Sequence, residues 1–107
     1  MIKISILYAN TPGRRFDIAY YLKIHMPASI ERLSTGKGYR GVSVERGVGG
    51  GAPGAPPAYV AMCHYLFDTA EDFMTAFGPH AGFLQGAIAK YTDIEPVIQF
   101  SEVAIAR

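Results

Sequence analysis

The chain opens on a period of two. Ile2, Ile4, Ile6 and Tyr8 alternate with Lys3, Ser5 and Leu7. Successive side chains of an extended backbone point to opposite faces, so this alternation predicts a strand over residues 2–8. The turn cluster Asn10-Thr11-Pro12-Gly13 ends it. From Phe16 the spacing becomes helical. Phe16, Tyr20 and Ile24 stand four apart on one face, and Tyr21 and His25 stand four apart on a neighbouring one. Pro27 has no N–H and clashes with the carbonyl four residues back, which predicts a kink or restart. Ile30 and Leu33 then extend an apolar face to the break at Ser34–Gly38.

The second half reads in the same way. Tyr39–Arg46 is expected to be a strand, and residues 47–58, almost all Gly, Ala and Pro, to be a loop. Residues 59–67, YVAMCHYLF, carry the strongest strand signal. Thr69 is a good helix N-cap, with Glu71 and Asp72 in the first turn, where the helix dipole favours acids. Phe73, Ala76 and Phe77 form the apolar face of that helix, which should break at Gly78-Pro79. A second helical piece over residues 80–90 leads through YTDIEP to a last strand, roughly 94–105.

The predicted order is β-α-β-β-α-β. It implies a single α+β domain of ferredoxin-like type, a four-stranded antiparallel sheet with helices on one face. The third strand is apolar on both sides, with Tyr59, Ala61, Cys63, Tyr65 and Phe67 against Val60, Met62, His64 and Leu66. Helices on one side cover only one of these rows, and an exposed apolar row favours association. A homodimer through the sheet face is therefore expected, with a Gly/Pro-loop cap within one chain as the alternative.

Composition narrows the classes. Half of the 107 residues are hydrophobic, 18% are charged, and ten Lys and Arg are scattered among nine acids for a net charge of +1. No basic stripe marks a nucleic-acid face, and no stretch approaches the roughly 18 apolar residues of a membrane span. The start, MIKISILY, has an apolar core too short for a signal peptide, so a soluble, cytoplasmic protein is expected. The one cysteine, Cys63, forms no internal disulfide, has no metal-ligand spacing, and sits mid-strand where an inert thiol is expected.

His25 is the best single candidate for chemistry. It stands one turn after Tyr21 and just before Pro27. An imidazole titrates near neutral pH and suits acid/base work, while Tyr21 would orient it or hold a substrate oxygen. The bland alternative is a structural histidine tied to the backbone at the kink. His64, alternating with Val60 and Met62, and His80, after Gly78-Pro79, are weaker ligand-binding candidates with core and corner readings of their own. Tyr39 and Tyr59, with Tyr8 and Tyr65, would line a pocket for a flat apolar ligand or simply fill the core. The histidines lie 39 and 16 residues apart, which matches no local metal motif. Gly49-Gly50-Gly51 lacks the Lys-Ser/Thr of a phosphate loop and joins two strands, leaving either a lid or an inert connection. Asp93 and Glu95 alternate across a strand and form no carboxylate pair.

Three motifs carry a resemblance. F-D-x-x-Y-Y-x-x-x-H-M-P (Phe16, Asp17, Tyr20, Tyr21, His25, Met26, Pro27), the Gly/Ala/Pro loop before the third strand, and Y-T-D-I-E-P (Tyr91, Thr92, Asp93, Ile94, Glu95, Pro96) resemble the EthD family in order along the chain. The family takes its name from ethyl tert-butyl ether degradation, where it accompanies a cytochrome P450 system. It belongs to the dimeric α+β barrel group, with monooxygenases, muconolactone isomerases and haem-degrading enzymes. The resemblance implies a dimer and a small-molecule setting. It also implies an acid just before the I-x-x-Y-T stretch, where this chain has Gly86 and Ala87. Three functions follow as expectations. One is a cofactor-independent isomerase, lyase or oxygenase acting on a small apolar molecule through His25. Another is a non-catalytic accessory dimer serving an oxygenase component. The third, by analogy of fold, is a haem protein with His25 or His80 as axial ligand.

Overall fold

The computed structural model describes all of residues 1–107. Four strands, β1 (Ile2–Ala9), β2 (Tyr39–Arg46), β3 (Tyr59–Phe67) and β4 (Val97–Glu102), form one antiparallel sheet in the order β2-β3-β1-β4. The two long non-adjacent connections are helical and lie on one face, which is the ferredoxin-like α+β arrangement expected from the element order.

Register follows from the side-chain period. Ile4 pairs with Tyr65 and Phe100, Ile6 with Cys63 and Ile98, and Tyr8 with Ala61, all on the helix-covered face. Ala61, Cys63 and Phe67 are fully buried there, and Tyr65 is 1% exposed. The opposite face carries Lys3, Ser5 and Leu7 beside Leu66, His64 and Met62. On that face the expected apolar character holds for β3 alone. Its half-buried row is flanked by Ser43 and Glu45 of β2 on one side and by Lys3, Ser5 and Leu7 of β1 on the other, beyond which lie Gln99 and Ser101 of β4.

The first crossover departs from the sequence expectation. Phe16 lies outside the helix and bridges to Thr92. Asp17 is the N-cap of α1 (Ile18–Tyr20), its carboxylate accepting from the Tyr20 N–H at 3.1 Å. A π turn over Tyr21–His25 follows, closed by the Met26 N–H on the Tyr21 carbonyl, and then α2 runs over Met26–Leu33. Pro27 sits in the first turn of α2, where a missing N–H does least harm. The π turn accounts for a corrected face. Ile24, placed by its spacing on one face with Phe16 and Tyr20, is 54% exposed while those two are half-buried, and Tyr21, Met26, Ser29 and Leu33 are buried.

The second crossover begins as predicted. Thr69 accepts from the Asp72 N–H at 3.0 Å and caps α3 (Ala70–Phe77). A 3₁₀ turn at Gly78–His80 takes up the proline, α4 (Ala81–Gly86) follows, and a further 3₁₀ turn spans Ile88–Lys90. β4 is shorter than the predicted 94–105: Pro96 precedes it, and beyond it the Val103 N–H reaches the Met1 carbonyl. The Gly-rich loop is fastened at its base. Gly47 N–H donates to Val60, Gly50 N–H to Ala55, and Asn10 binds both Ala58 and Pro57 carbonyls. No helix is long and apolar enough to cross a membrane.

Candidate functional site: a cavity between the helices and the sheet

A cavity of about 240 Å³ opens between the sheet and the helices. Its floor is sheet: Ile4, Ile6, Tyr8, Cys63 and Tyr65. Its roof comes from Tyr21, His25, Met26, Ser29 and Leu33 of the first crossover. The second crossover closes one side with Phe73, Phe77, Leu84 and Ile88. At the rim stand Met74, Ile98 and Phe100, all large, apolar and more than 40% exposed. No Asp, Glu, Lys or Arg lines the cavity.

The segment before α1 is what brings Tyr91 to the site. The Asp17 N–H donates to the Tyr91 carbonyl at 2.7 Å, and the Thr92 hydroxyl to the Arg15 carbonyl at 2.6 Å. The Arg15 N–H in turn donates to the Asp93 carboxylate at 2.8 Å, so Asp93 serves as a clasp. Tyr91 is thereby fully buried, with its hydroxyl 2.6 Å from that of Tyr8. Around these two, Phe16, Tyr21 and His25 complete an aromatic cluster, with the Tyr91 and His25 rings 4.6 Å apart between centroids.

Tyr21 and His25 sit together in the roof, their rings stacked at 5.9 Å and 14° between planes. Burial lowers the imidazole from its ordinary 6.5 to about 4, so His25 is neutral at pH 7. Burial, foremost, raises the Tyr21 phenol far above its ordinary value and keeps it protonated. The Tyr21 hydroxyl is buried with no hydrogen-bond partner. Burying a hydroxyl without a partner is unfavourable by about 1–3 kcal/mol. A second hydroxyl pair, Ser29 with Tyr65 at 2.6 Å, closes the cavity behind them.

The other anticipated residues lie elsewhere. Tyr39 packs edge-on against Phe67, and Tyr59 borders the base of the Gly-rich loop with Arg46 and Met62. His80 ends the 3₁₀ turn outside the cavity lining, so it shares no site with His25. His64 is on the open sheet face, its Nδ1 2.7 Å from the Ser5 hydroxyl and its Nε2 3.3 Å from Glu45 Oε1 without hydrogen-bond alignment. The Gly-rich loop lines none of the cavity. Cys63 is fully buried, and burial pushes its thiol up to about 12. No group of three or more His, Cys, Asp or Glu side chains is placed to hold a metal ion. Sequence reasoning passed over Ser29 and Gln85. For Ser29 a signal existed, since it continues the row Tyr21, His25 at a further four residues.

Among solved structures, an EthD-like protein from Ralstonia eutropha JMP134 is 48% identical, covering 99% of this chain and 94% of that one, with a TM-score of 0.90. The chain belongs to the EthD-like family. An EthD family protein from Bacillus halodurans C-125 shares the fold of this EthD-like chain at 21% identity and a TM-score of 0.64, over 95% and 97% of the two chains. A proposed monooxygenase from Shewanella loihica PV-4 shares it at 13% identity and a TM-score of 0.61, over 98% and 96%. No family model matches the EthD-like chain, and no curated protein does.

Proposed function

We propose that this EthD-like protein takes up a small, largely apolar organic molecule in the cavity beneath its helices and acts on it through His25 as acid/base. The observation that carries the reading is the meeting of Tyr21 and His25 in the roof of a concave, uncharged, largely apolar space. Concave apolar sites with a few convergent polar groups are where small ligands bind. A neutral imidazole there has a free lone pair for a proton.

The test is ligand-observed NMR against a panel of small apolar compounds, with Ile98→Trp as a plug at the exposed rim. Binding that disappears in the plugged protein is expected. Binding that is indifferent to the plug removes the cavity from consideration.

We further propose that the working unit is a homodimer joined through the open sheet face. The half-buried row Val60, Met62 and Leu66 supports this, since a partner sheet would remove it from water. Leu66→Asp should then halve the mass found by sedimentation at micromolar concentration. A monomeric parent protein excludes the proposal.

A further inference from the structure

We propose that the molecule this cavity is built for is an uncharged carbonyl compound whose oxygen is held by the Tyr21 hydroxyl, and that His25 shifts a proton on the carbon beside it. This rests on the reading of the cavity as the ligand site and goes further, to ligand class and step.

The charge of the ligand follows from the lining. Nineteen residues line the cavity, none of them Asp, Glu, Lys or Arg. An ion entering would leave water for an apolar space without a counter-charge, which is strongly unfavourable. An uncharged molecule meets no such penalty.

The functional group follows from the hydroxyl inventory. Tyr21 has a buried hydroxyl with nothing to donate to. In each pair, Ser29 with Tyr65 and Tyr8 with Tyr91, one hydroxyl donates to the other, and the acceptor keeps its own hydrogen uncommitted. Tyr21 and whichever of Ser29 and Tyr65 accepts thus place two O–H groups in want of an acceptor in the cavity lining, and Tyr8 places a third there when it accepts from Tyr91, which lies outside the lining. A phenol is a better donor than acceptor, because its oxygen lone pair is shared with the ring. The complement to such a site is an acceptor oxygen on an apolar body, and a carbonyl is the acceptor most strengthened when negative charge develops on it.

The step needs no co-reactant. A nitrogen of the neutral His25 ring accepts the proton from the carbon next to the carbonyl. The C–H electron pair becomes the new C=C bond, the carbonyl π pair moves onto oxygen, and the Tyr21 O–H donates to that oxyanion. The imidazolium then returns the proton to the same carbon, or to the far end of a conjugated enolate. Nothing is oxidised or reduced. A weakly basic group works in such a step when the oxyanion is held by protonated donors out of water, as in ketosteroid isomerase with its carboxylate base.

The experiment uses the whole protein and four one-ring probes at pH 7.5: acetophenone, ethylbenzene, benzoate and benzylamine. Acetophenone is expected to bind, and Tyr21→Phe to weaken it by roughly tenfold while ethylbenzene binding stays unchanged. In D₂O the wild-type protein should accelerate deuterium uptake into the acetophenone methyl group, followed by NMR. His25→Gln should abolish that acceleration while retaining binding. Benzoate or benzylamine binding as tightly as acetophenone overturns the ligand class. Acetophenone bound without exchange overturns the step. Ethylbenzene and acetophenone bound equally, and equally by Tyr21→Phe, overturns the role of Tyr21 but keeps the apolar cavity as a binding site; no binding by any probe removes both readings.

Discussion

The hydroxyls of Ser29 on α2 and Tyr65 on β3 lie 2.6 Å apart and are buried, so a single hydrogen bond ties the roof of the cavity to its floor. Tyr65→Phe leaves the Ser29 hydroxyl in an apolar space without its partner. A loss of about 1–3 kcal/mol in urea unfolding is expected. Ser29→Ala combined with Tyr65→Phe should lose less than the sum of the two single changes, because the orphaned group is then gone as well.

Tyr21→Phe is the counterpart with the opposite sign. Its hydroxyl has no partner to lose. Removing it should leave stability unchanged or raise it by about 1 kcal/mol, and a thermal melt reads the difference. A clear drop in melting temperature would mean that the hydroxyl is satisfied within the folded protein. Polar groups that weaken the fold and serve the ligand are a recurrent feature of working sites.

His25 makes stability depend on pH in a defined window. Its imidazole is lowered by burial to about 4 in the fold, against 6.5 ordinarily. Between those values the unfolded chain binds the proton more readily than the folded one. Stability from this group is therefore complete above about pH 6.5, falls as the pH drops, and stops falling near pH 4. The ring is only partly buried, so water moderates the effect, and a loss of about 1–2 kcal/mol across the window is expected. Unfolding curves at pH 7.5 and 4.5 should differ less in His25→Gln than in the wild type.

Two glycines of the long loop should respond differently. A Cβ on Gly47 would drive into the Tyr59 carbonyl and sit 2.8 Å from the Pro57 ring, whereas one on Gly51 meets nothing within 4 Å. Gly47→Ala is expected to destabilise by about 1–3 kcal/mol and Gly51→Ala to stay within about 0.5 kcal/mol. Chemical denaturation of the two variants side by side checks this.

Much of this architecture is legible in the residues. Ile2 through Tyr8 alternate, which has one physical meaning in an extended chain, and Tyr59 through Phe67 form a short apolar and aromatic run bounded by a Gly/Pro-rich loop and a helix cap, which reads as a strand buried on both sides. Thr69 with Glu71 and Asp72 marks a helix start for equally local reasons. The first crossover is less legible, because Phe16, Tyr20 and Ile24 obey helical spacing although the helix begins after Phe16 and is interrupted at Tyr21–His25. Nothing local announces a π turn apart from Pro27. The pairing of His25 with Tyr21 could be read from spacing. That Tyr91 joins them could not, since it depends on contacts made by Arg15 and Asp17 with residues some seventy-five positions further on. The placements of His64 and His80 likewise depend on which way a strand face and a corner turn relative to the helices.

The π turn bears on how the chain can be shortened. In an uninterrupted α-helix each residue advances about 100° around the axis, so Tyr21 and Ser29 would diverge by about 80°. Tyr21–His25 holds one residue more than an α turn closes, and taking that extra residue out of the count leaves seven steps and a divergence of only about 20°. Excision of Leu22, which is 43% exposed, would let the backbone settle into regular winding. Seven regular steps would then separate the phenol from the serine, the same divergence of about 20°, and both would stay in the roof: the surplus amino acid can be dispensed with at this point of the helix without turning the wall of the cavity.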